Sequence, residues 1–407
     1  MSLKKILFHK AVLVSALGYF VDIYDLLLFS IVRVSSLKDL GLNEEDVLEK
    51  GLLLINAQMA GLLIGGVLWG ILGDKKGRLS VLFGSIFLYS AANLLNAFVQ
   101  DIPSYIALRF IAGLGLAGEL GAAITLVSEV LSKENRGFGT TIVASFGILG
   151  AVVAGVVAGL VQWRTSYFIG GAMGISLLLL RISVKESPLF AKTHAKNNNA
   201  GSLKLLFQTK SRILRLLSCI AIGVPLWFVV GILISFAPEM SKTWELDKPI
   251  TAATAIMLTY AGLSIGDLIS GLLSQWLKSR KKVVGLFLII DFILLGFYVG
   301  VPWTRSSSFY ILCFALGIAS GYWAVFVTIA AEQFGTNLRA TVATITPNFV
   351  RGSVIILTSL LQMGRSWLTL PQSALMVGIV SFAVALWGYR QLEESFGKDL
   401  HFFEESL

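Results

Sequence analysis

Apolar residues run along this chain in long blocks with short polar punctuation between them. The blocks fall at about 8–32, 51–73, 79–99, 104–130, 137–160 and 166–182, then at about 212–237, 251–276, 283–301, 308–332, 340–362 and 371–390. Each is close to the ~20 apolar residues that one helix needs to cross a bilayer. A polar stretch from Val184 to Lys210, with Lys192, Lys196 and the run Asn197 to Asn199, parts the sixth block from the seventh. The pattern predicts an all-α membrane protein with twelve transmembrane helices in two six-helix bundles. The bundles are expected over residues 1–183 and 212–391, with a cytoplasmic linker over 184–211 and a cytoplasmic tail over 392–407.

Composition sharpens this reading. Of 407 residues, 56% are hydrophobic and 14% charged, against about 25% charged in a soluble domain. Those proportions exclude an ordinary soluble enzyme, a disordered chain and a secreted disulfide scaffold. Cys219 and Cys313 both sit in apolar runs, so no disulfide framework is implied. His9, His194 and His401 are too scattered to build a metal site. Neither a metal nor a cofactor is expected, and no nucleophile–base constellation points to an enzyme. Lys4, Lys5 and Lys10 before an apolar stretch resemble a signal peptide, but the stretch runs on past Asp25 without a cleavage site and reads as an uncleaved first span.

The net charge of +9 is explained by membrane topology rather than by nucleic acid. With both termini inside, the inner segments carry 23 Lys and Arg and the outer segments carry 8, Arg33, Lys38 and Lys242 among them. Arg109 and Arg351 lie within spans. The asymmetry places both ends in the cytoplasm, and the short loops point to a bacterial inner membrane. The halves also echo each other. Glu129 precedes Arg136 by seven residues, Glu332 precedes Arg339 by seven, and the offset of 203 is half the chain. Glu186-Ser187 and Glu394-Ser395 repeat at nearly the same offset, which argues for duplicated bundles.

Several motifs resemble the major facilitator superfamily. Gly70, Asp74, Gly77 and Arg78 fit that family's Gly-x3-Asp-Arg/Lys-x-Gly-Arg loop between spans two and three, and the echo over Gly271 to Arg280 has Gln275 where an acid might stand. Arg109 with Gly113 and Gly115, then Glu129 and Arg136, are similar to the sugar-porter and metabolite:H+ symporter branches, as is Glu186-Ser187-Pro188 followed by Phe190. The resemblance implies a cytoplasmic latch of Asp74, Arg78, Glu129 and Arg136, with Glu332 and Arg339 as a second one and Asp267 joining them. Gly113, Gly115 and Gly118 formally match a dinucleotide fingerprint. Inside an apolar helix they read instead as small residues for close helix contact, like Gly61/Gly65, Gly155/Gly159 and Gly262/Gly266.

Ionisable residues within spans carry the functional signal, because each costs at least ~2.5–3.5 kcal/mol at the bilayer centre unless compensated. Asp22 and Asp25 are three apart on the first helix, so their side chains are neighbours, and two such carboxylates in low dielectric favour holding a proton on one. Tyr24-Asp25 is similar to the Gly-Tyr-Asp of sugar porters and Arg109 to their span-four arginine, which implies an Asp25–Arg109 proton switch. The same residues also suit a permanent ion pair joining helices one and four. Glu119 lies where phosphate:H+ symporters carry an acid and is a further protonation candidate, or else lines an inner vestibule. Asp291 has no assigned role.

Arg351 is in mid-span eleven and has no counterpart at the 203 offset, where Ile148 stands. The organic-ion transporters have a similar arginine there, which goes with anionic substrates; a gate residue is the other reading. No acid on its own helix is within reach, and Asp291 and Asp267 are poorly placed, so an incoming anion is the expected partner. Asn348, Tyr260, Trp227, Tyr322 and Trp323 lie on core-type spans and are candidates to line the cavity. The resulting expectation is a monomeric, proton-coupled symporter of a small organic anion, its partners being substrate, protons and lipid, not nucleic acid. A proton-antiport exporter, a carrier of neutral or cationic solutes and a transport-dead receptor stay open as alternatives.

Overall fold

The computed structural model describes residues 8–131, 135–182, 202–398 and 402–404. Among them the chain is helical, with no strand. The first six long helices are α1 (Lys10–Asp39), α2 (Glu44–Lys76), α3 (Arg78–Asn96), α4 (Ile102–Leu116 and Glu119–Val130), α5 (Arg136–Leu160) and α6 (Trp163–Arg181). The second six are α7 (Lys210–Phe228, running on as a π-helical turn over Val229–Ile234), α8 (Ala252–Trp276), α9 (Arg280–Gly300), α10 (Ser306–Ala319 and Trp323–Glu332), α11 (Arg339–Gly364) and α12 (Leu370–Gln391). Eleven are long and apolar enough to cross a membrane. The other, α6, has Arg164 and a polar first turn at one end and Arg181 at the other.

Local chemistry sets the helix starts. Asn43, Asp101, Thr209, Thr251 and Ser279 each accept a backbone N–H two or three residues into the helix that follows, satisfying donors that have no intrahelical partner. Between α2 and α3 the chain turns through Gly77 at φ +96°, a conformation that a side chain would strain, which explains that glycine of the loop motif. Within each half, glycines let helices meet backbone to backbone. A Cβ on Gly61 or Gly65 of α2 would overlap Phe110 and Leu114 of α4; one on Gly262 or Gly266 of α8 would overlap Phe314 and Ile318 of α10. The duplication is visible in these paired seams. A Cβ on Gly155 would meet Met257, but one on Gly159 would meet nothing within 4 Å, so Gly159 serves no seam. Gly113, Gly115 and Gly118 abut Gln58, Tyr89 and Trp69, as helix-contact glycines do.

Both α4 and α10 break near mid-length, at positions related by the same offset. The break in α10 is held by two acids. Asp267 of α8 accepts the N–H of Ala324 at 3.0 Å, and Asp291 of α9 accepts from the Ser320 hydroxyl at 3.0 Å. A broken helix leaves N–H groups without partners in a medium that offers no water. Asp267 therefore does not join the latch expected of it; it caps a half-helix at mid-depth. Asp291 receives an account that the sequence did not supply.

The two bundles meet along α2 with α11 and α5 with α8. At one end lie Lys75, Lys76, Lys281, Lys282 and Arg339, here called the basic end. There the described tail folds back: Glu404 binds Arg212 at 2.8 Å and Arg215 at 3.1 Å, and Phe402 accepts from the Thr336 N–H. Glu186, Ser187, Pro188 and Phe190 lie outside the described residues, as do Asn197 to Asn199.

Candidate functional site between the bundles

A small cavity of about 10 Å3 lies at mid-depth where the bundles meet. Tyr19 and Ile23 of α1, Ile148 of α5, Leu226 and Trp227 of α7, Tyr260 and Leu263 of α8, Trp323 of α10 and Arg351 of α11 line it. That volume is about one water's worth, too small for an organic solute in this form. The Arg351 guanidinium lies 5.8 Å from the Trp227 ring and 5.7 Å from the Trp323 ring. Its Nη1 donates to Asn348 at 3.5 Å, while Nε and Nη2 have no hydrogen-bond partner. Asn348 in turn donates to Ala117 of the other bundle at 2.8 Å. Of the expected lining, Trp227, Tyr260, Trp323 and Arg351 face the cavity, with Asn348 beside it. Tyr322 does not, because it sits in the α10 break and its hydroxyl donates to Ile222 at 2.9 Å.

Arg351 also has an acid within reach, contrary to expectation. Asp22 of α1 stands 3.7 Å from its Nη2, across the bundle interface. Sequence distance hid this, since the pair joins the first helix to the eleventh. Asp25, one turn further, is fully buried and faces Gly170 of α6. No direct Asp25–Arg109 ion pair forms within 4.0 Å. Arg109 donates to Asn93 of α3 at 2.6 Å and stacks 5.0 Å from the Tyr167 ring. Glu119 is gripped by Arg181 through two hydrogen bonds, one of 3.0 Å, and both are buried. It lines no vestibule. Arg181, at the very end of α6, is a partner that the sequence did not reveal; its place at the end of a span was the available signal.

Charged clasps close both ends. At the basic end Arg78 binds Glu129 at 2.8 Å and Asp74 at 3.4 Å. Asp74 also crosses to the other bundle, accepting the Thr341 N–H at 3.0 Å and its hydroxyl at 2.5 Å. The positive helix end it meets is that of α11. In the second half, Glu332 does not pair with Arg339. Arg280 takes it with two hydrogen bonds of 2.6 and 2.8 Å, and Ser395 adds one at 2.9 Å. Arg339 bonds the Ala331 and Phe334 carbonyls instead. Arg280 and Glu332 thus repeat Arg78 and Glu129, so the degraded loop motif keeps its arginine. The Arg136 side chain lies outside the described residues. A cavity of about 220 Å3 opens at this end, with Ser128, Gln275, Arg280, Glu332 and Arg339 on its walls.

At the opposite end the bundles are tied by Arg33, read from sequence as a loop residue. It is fully buried on α1, binds Glu239 at 2.6 Å and the Ser235 carbonyl at 3.3 Å, and stacks 4.6 Å from Phe236. All three partners follow the π-helical turn of α7, a feature frequent at functional sites. Exposed Glu44 bridges Lys38 and Lys242 nearby, and those ammonium groups hold its carboxyl below the usual range.

The relationships to known proteins fit this architecture. The solved structure of the proton:xylose symporter XylE superposes with a TM-score of 0.76 over 98% of both chains at 17% identity, a likeness of fold. The 3-(3-hydroxy-phenyl)propionate transporter of Escherichia coli is 28% identical over 71% of both chains. The niacin transporter NiaP of Acinetobacter baylyi is 33% identical over 44% of this chain, and the match spans 41% of that relative's length. Matches to NiaP proteins of two bacteria thus span less than half of those relatives. The Major Facilitator Superfamily profile matches residues 15–359, most of the helices just described, and this chain belongs to that superfamily of membrane transporters.

Proposed function

We propose that this protein carries a small organic anion together with protons by alternating access of its two bundles. Arg351 supports the reading above all. A guanidinium buried at mid-depth, with two donors unfilled and two indole rings beside it, is suited to a carboxylate on an aromatic body. Relatives named for niacin and for a hydroxyphenylpropionate are consistent with that chemistry. Asn348, Trp227, Tyr260 and Trp323 complete the substrate site in this reading, with Tyr19 added. The basic end faces the cytoplasm of a bacterial inner membrane, so both termini are inside, and the single chain is the working unit. Residues 1–183 and 212–391 are the moving halves.

Asp25 carries a coupled proton, and Arg109 is its switch. In this closed form Arg109 rests on Asn93, and an ionised Asp25 would draw it across. Glu119, held by Arg181, takes a structural part.

Uptake into proteoliposomes tests the proposal. Nicotinate or 3-(3-hydroxyphenyl)propionate should accumulate under an inward proton gradient, while nicotinamide and xylose should not. Arg351→Lys keeps the charge but loses the two-pronged grip, and should weaken uptake affinity about tenfold, or ~1.4 kcal/mol. Asp25→Asn should abolish gradient-driven accumulation while sparing exchange. Transport of neutral or cationic solutes alone, indifferent to Arg351→Lys, would refute the anion reading.

A further inference from the structure

We infer that the substrate's carboxylate and Asp22 exchange places on Arg351, so that each anion bound puts one proton on Asp22. The geometry is that of an exchangeable partner. Asp22 and Arg351 are buried and 3.7 Å apart, near enough for an ion contact, yet neither Asp22 oxygen has a hydrogen bond. On the arginine, the unfilled donors are Nε and Nη2, which together form one edge of the guanidinium. A carboxylate grips that edge with two parallel bonds. Asp22 occupies the position without making them.

Charge balance calls for a proton, which is taken up from water. The cavity holds one guanidinium, and in low dielectric one carboxylate balances it. An anion seated on Arg351 beside an ionised Asp22 would set two negative charges against one positive. Protonation of Asp22 to the carboxylic acid restores neutrality; no other bond is made or broken, and the proton leaves as the anion leaves. The surrounding groups do not replace it. Glu119 of α4 and Arg181 of α6 face Asp22 but cancel each other, and Tyr89 of α3 adds a neutral phenol. On α1 itself Tyr19 and Asp25 flank it, and Asp267 of α8, beyond Tyr19, is engaged by Ala324. Asp22 and Arg351 belong to different bundles, so the exchange also replaces a bridge within the protein by one through the substrate.

The inference rests on Arg351 being the anion's contact, and the test separates the two. Calorimetry of the full chain in detergent, in two buffers of different ionisation enthalpy, counts protons taken up per anion. The probes are nicotinate, benzoate and 3-(3-hydroxyphenyl)propionate at roughly pH 6.5–8.5, where their carboxyls are ionised. Wild type should take up about one proton per anion at the alkaline end, its Kd rising there toward tenfold per pH unit. Asp22→Asn should bind with no proton uptake and a flat pH profile. Proton uptake that persists in Asp22→Asn overturns the exchange and leaves the anion reading standing. Should Asp22→Asn not fold, wild type alone decides: anion binding without proton uptake overturns it too. If no probe binds wild type, or Arg351→Gln binds them unchanged, the anion reading itself fails and takes this inference with it.

Discussion

Glu119→Gln separates a structural carboxylate from a proton carrier. Glu119 and Arg181 are both essentially solvent-free, joined by two hydrogen bonds, with Arg181 also donating to the Leu82 carbonyl at 3.3 Å. The pair is pressed against Gly18 of α1, where a Cβ would overlap both side chains. Glutamine keeps nearly the same shape but removes the charge, leaving a guanidinium uncompensated in the bundle. Breaking a buried pair from one side costs about 3–5 kcal/mol. At ~2–4 °C per kcal/mol for a unit the size of one bundle, the melting temperature should fall by roughly 6–20 °C. Intrinsic-fluorescence melts of detergent-purified protein, at one protein concentration and heating rate, read this directly. Adding Arg181→Met to Glu119→Gln should recover most of the loss, since removing both charges abolishes the desolvation cost. If Glu119→Gln melts with wild type yet loses gradient-driven accumulation, the structural assignment is wrong and Glu119 carries a coupled proton.

Three further outcomes follow from the same geometry. Glu239→Gln leaves the fully buried Arg33 without its charged partner; losing a charge-assisted hydrogen bond of about 1.5–3 kcal/mol should favour opening of that end by roughly 10–100-fold. A cysteine at Tyr19 should then react faster with a reagent added from that side, and an unchanged rate would show that Arg33 does not hold the end shut. Asp267→Ala removes the cap on the second half of α10 and should cost about 1–2 kcal/mol in melts without altering proton uptake on binding; a changed proton count would return Asp267 to the coupling machinery. Finally, cysteines at Lys38 and Lys242 should label in intact cells and one at Lys76 only after permeabilisation, and the reverse pattern would overturn the proposed orientation.

Membrane class, the long helices and the two-bundle fold were legible in the sequence because their causes are local and additive. Each apolar block satisfies its own backbone as a helix, and each basic loop contributes to topology through its own charge. The positions of Asp22, Asp25 and Arg351 inside spans were legible for the same reason, since a charge at that depth is costly wherever its partner lies. The partners themselves were not. Which acid meets Arg351, that Arg181 rather than solvent receives Glu119, that Arg280 displaces Arg339 at Glu332, and that Arg33 is buried on Glu239 all depend on the rotation and depth of helices far apart in the chain. Those are set by seams such as Gly61 and Gly65 against α4, where backbones approach and one added Cβ would shift the register. The sequence by itself determined which residues must find a counter-charge. Only the packing of the helices decided which ones they found, because a side chain's neighbours across an interface are fixed by shape, not by spacing along the chain.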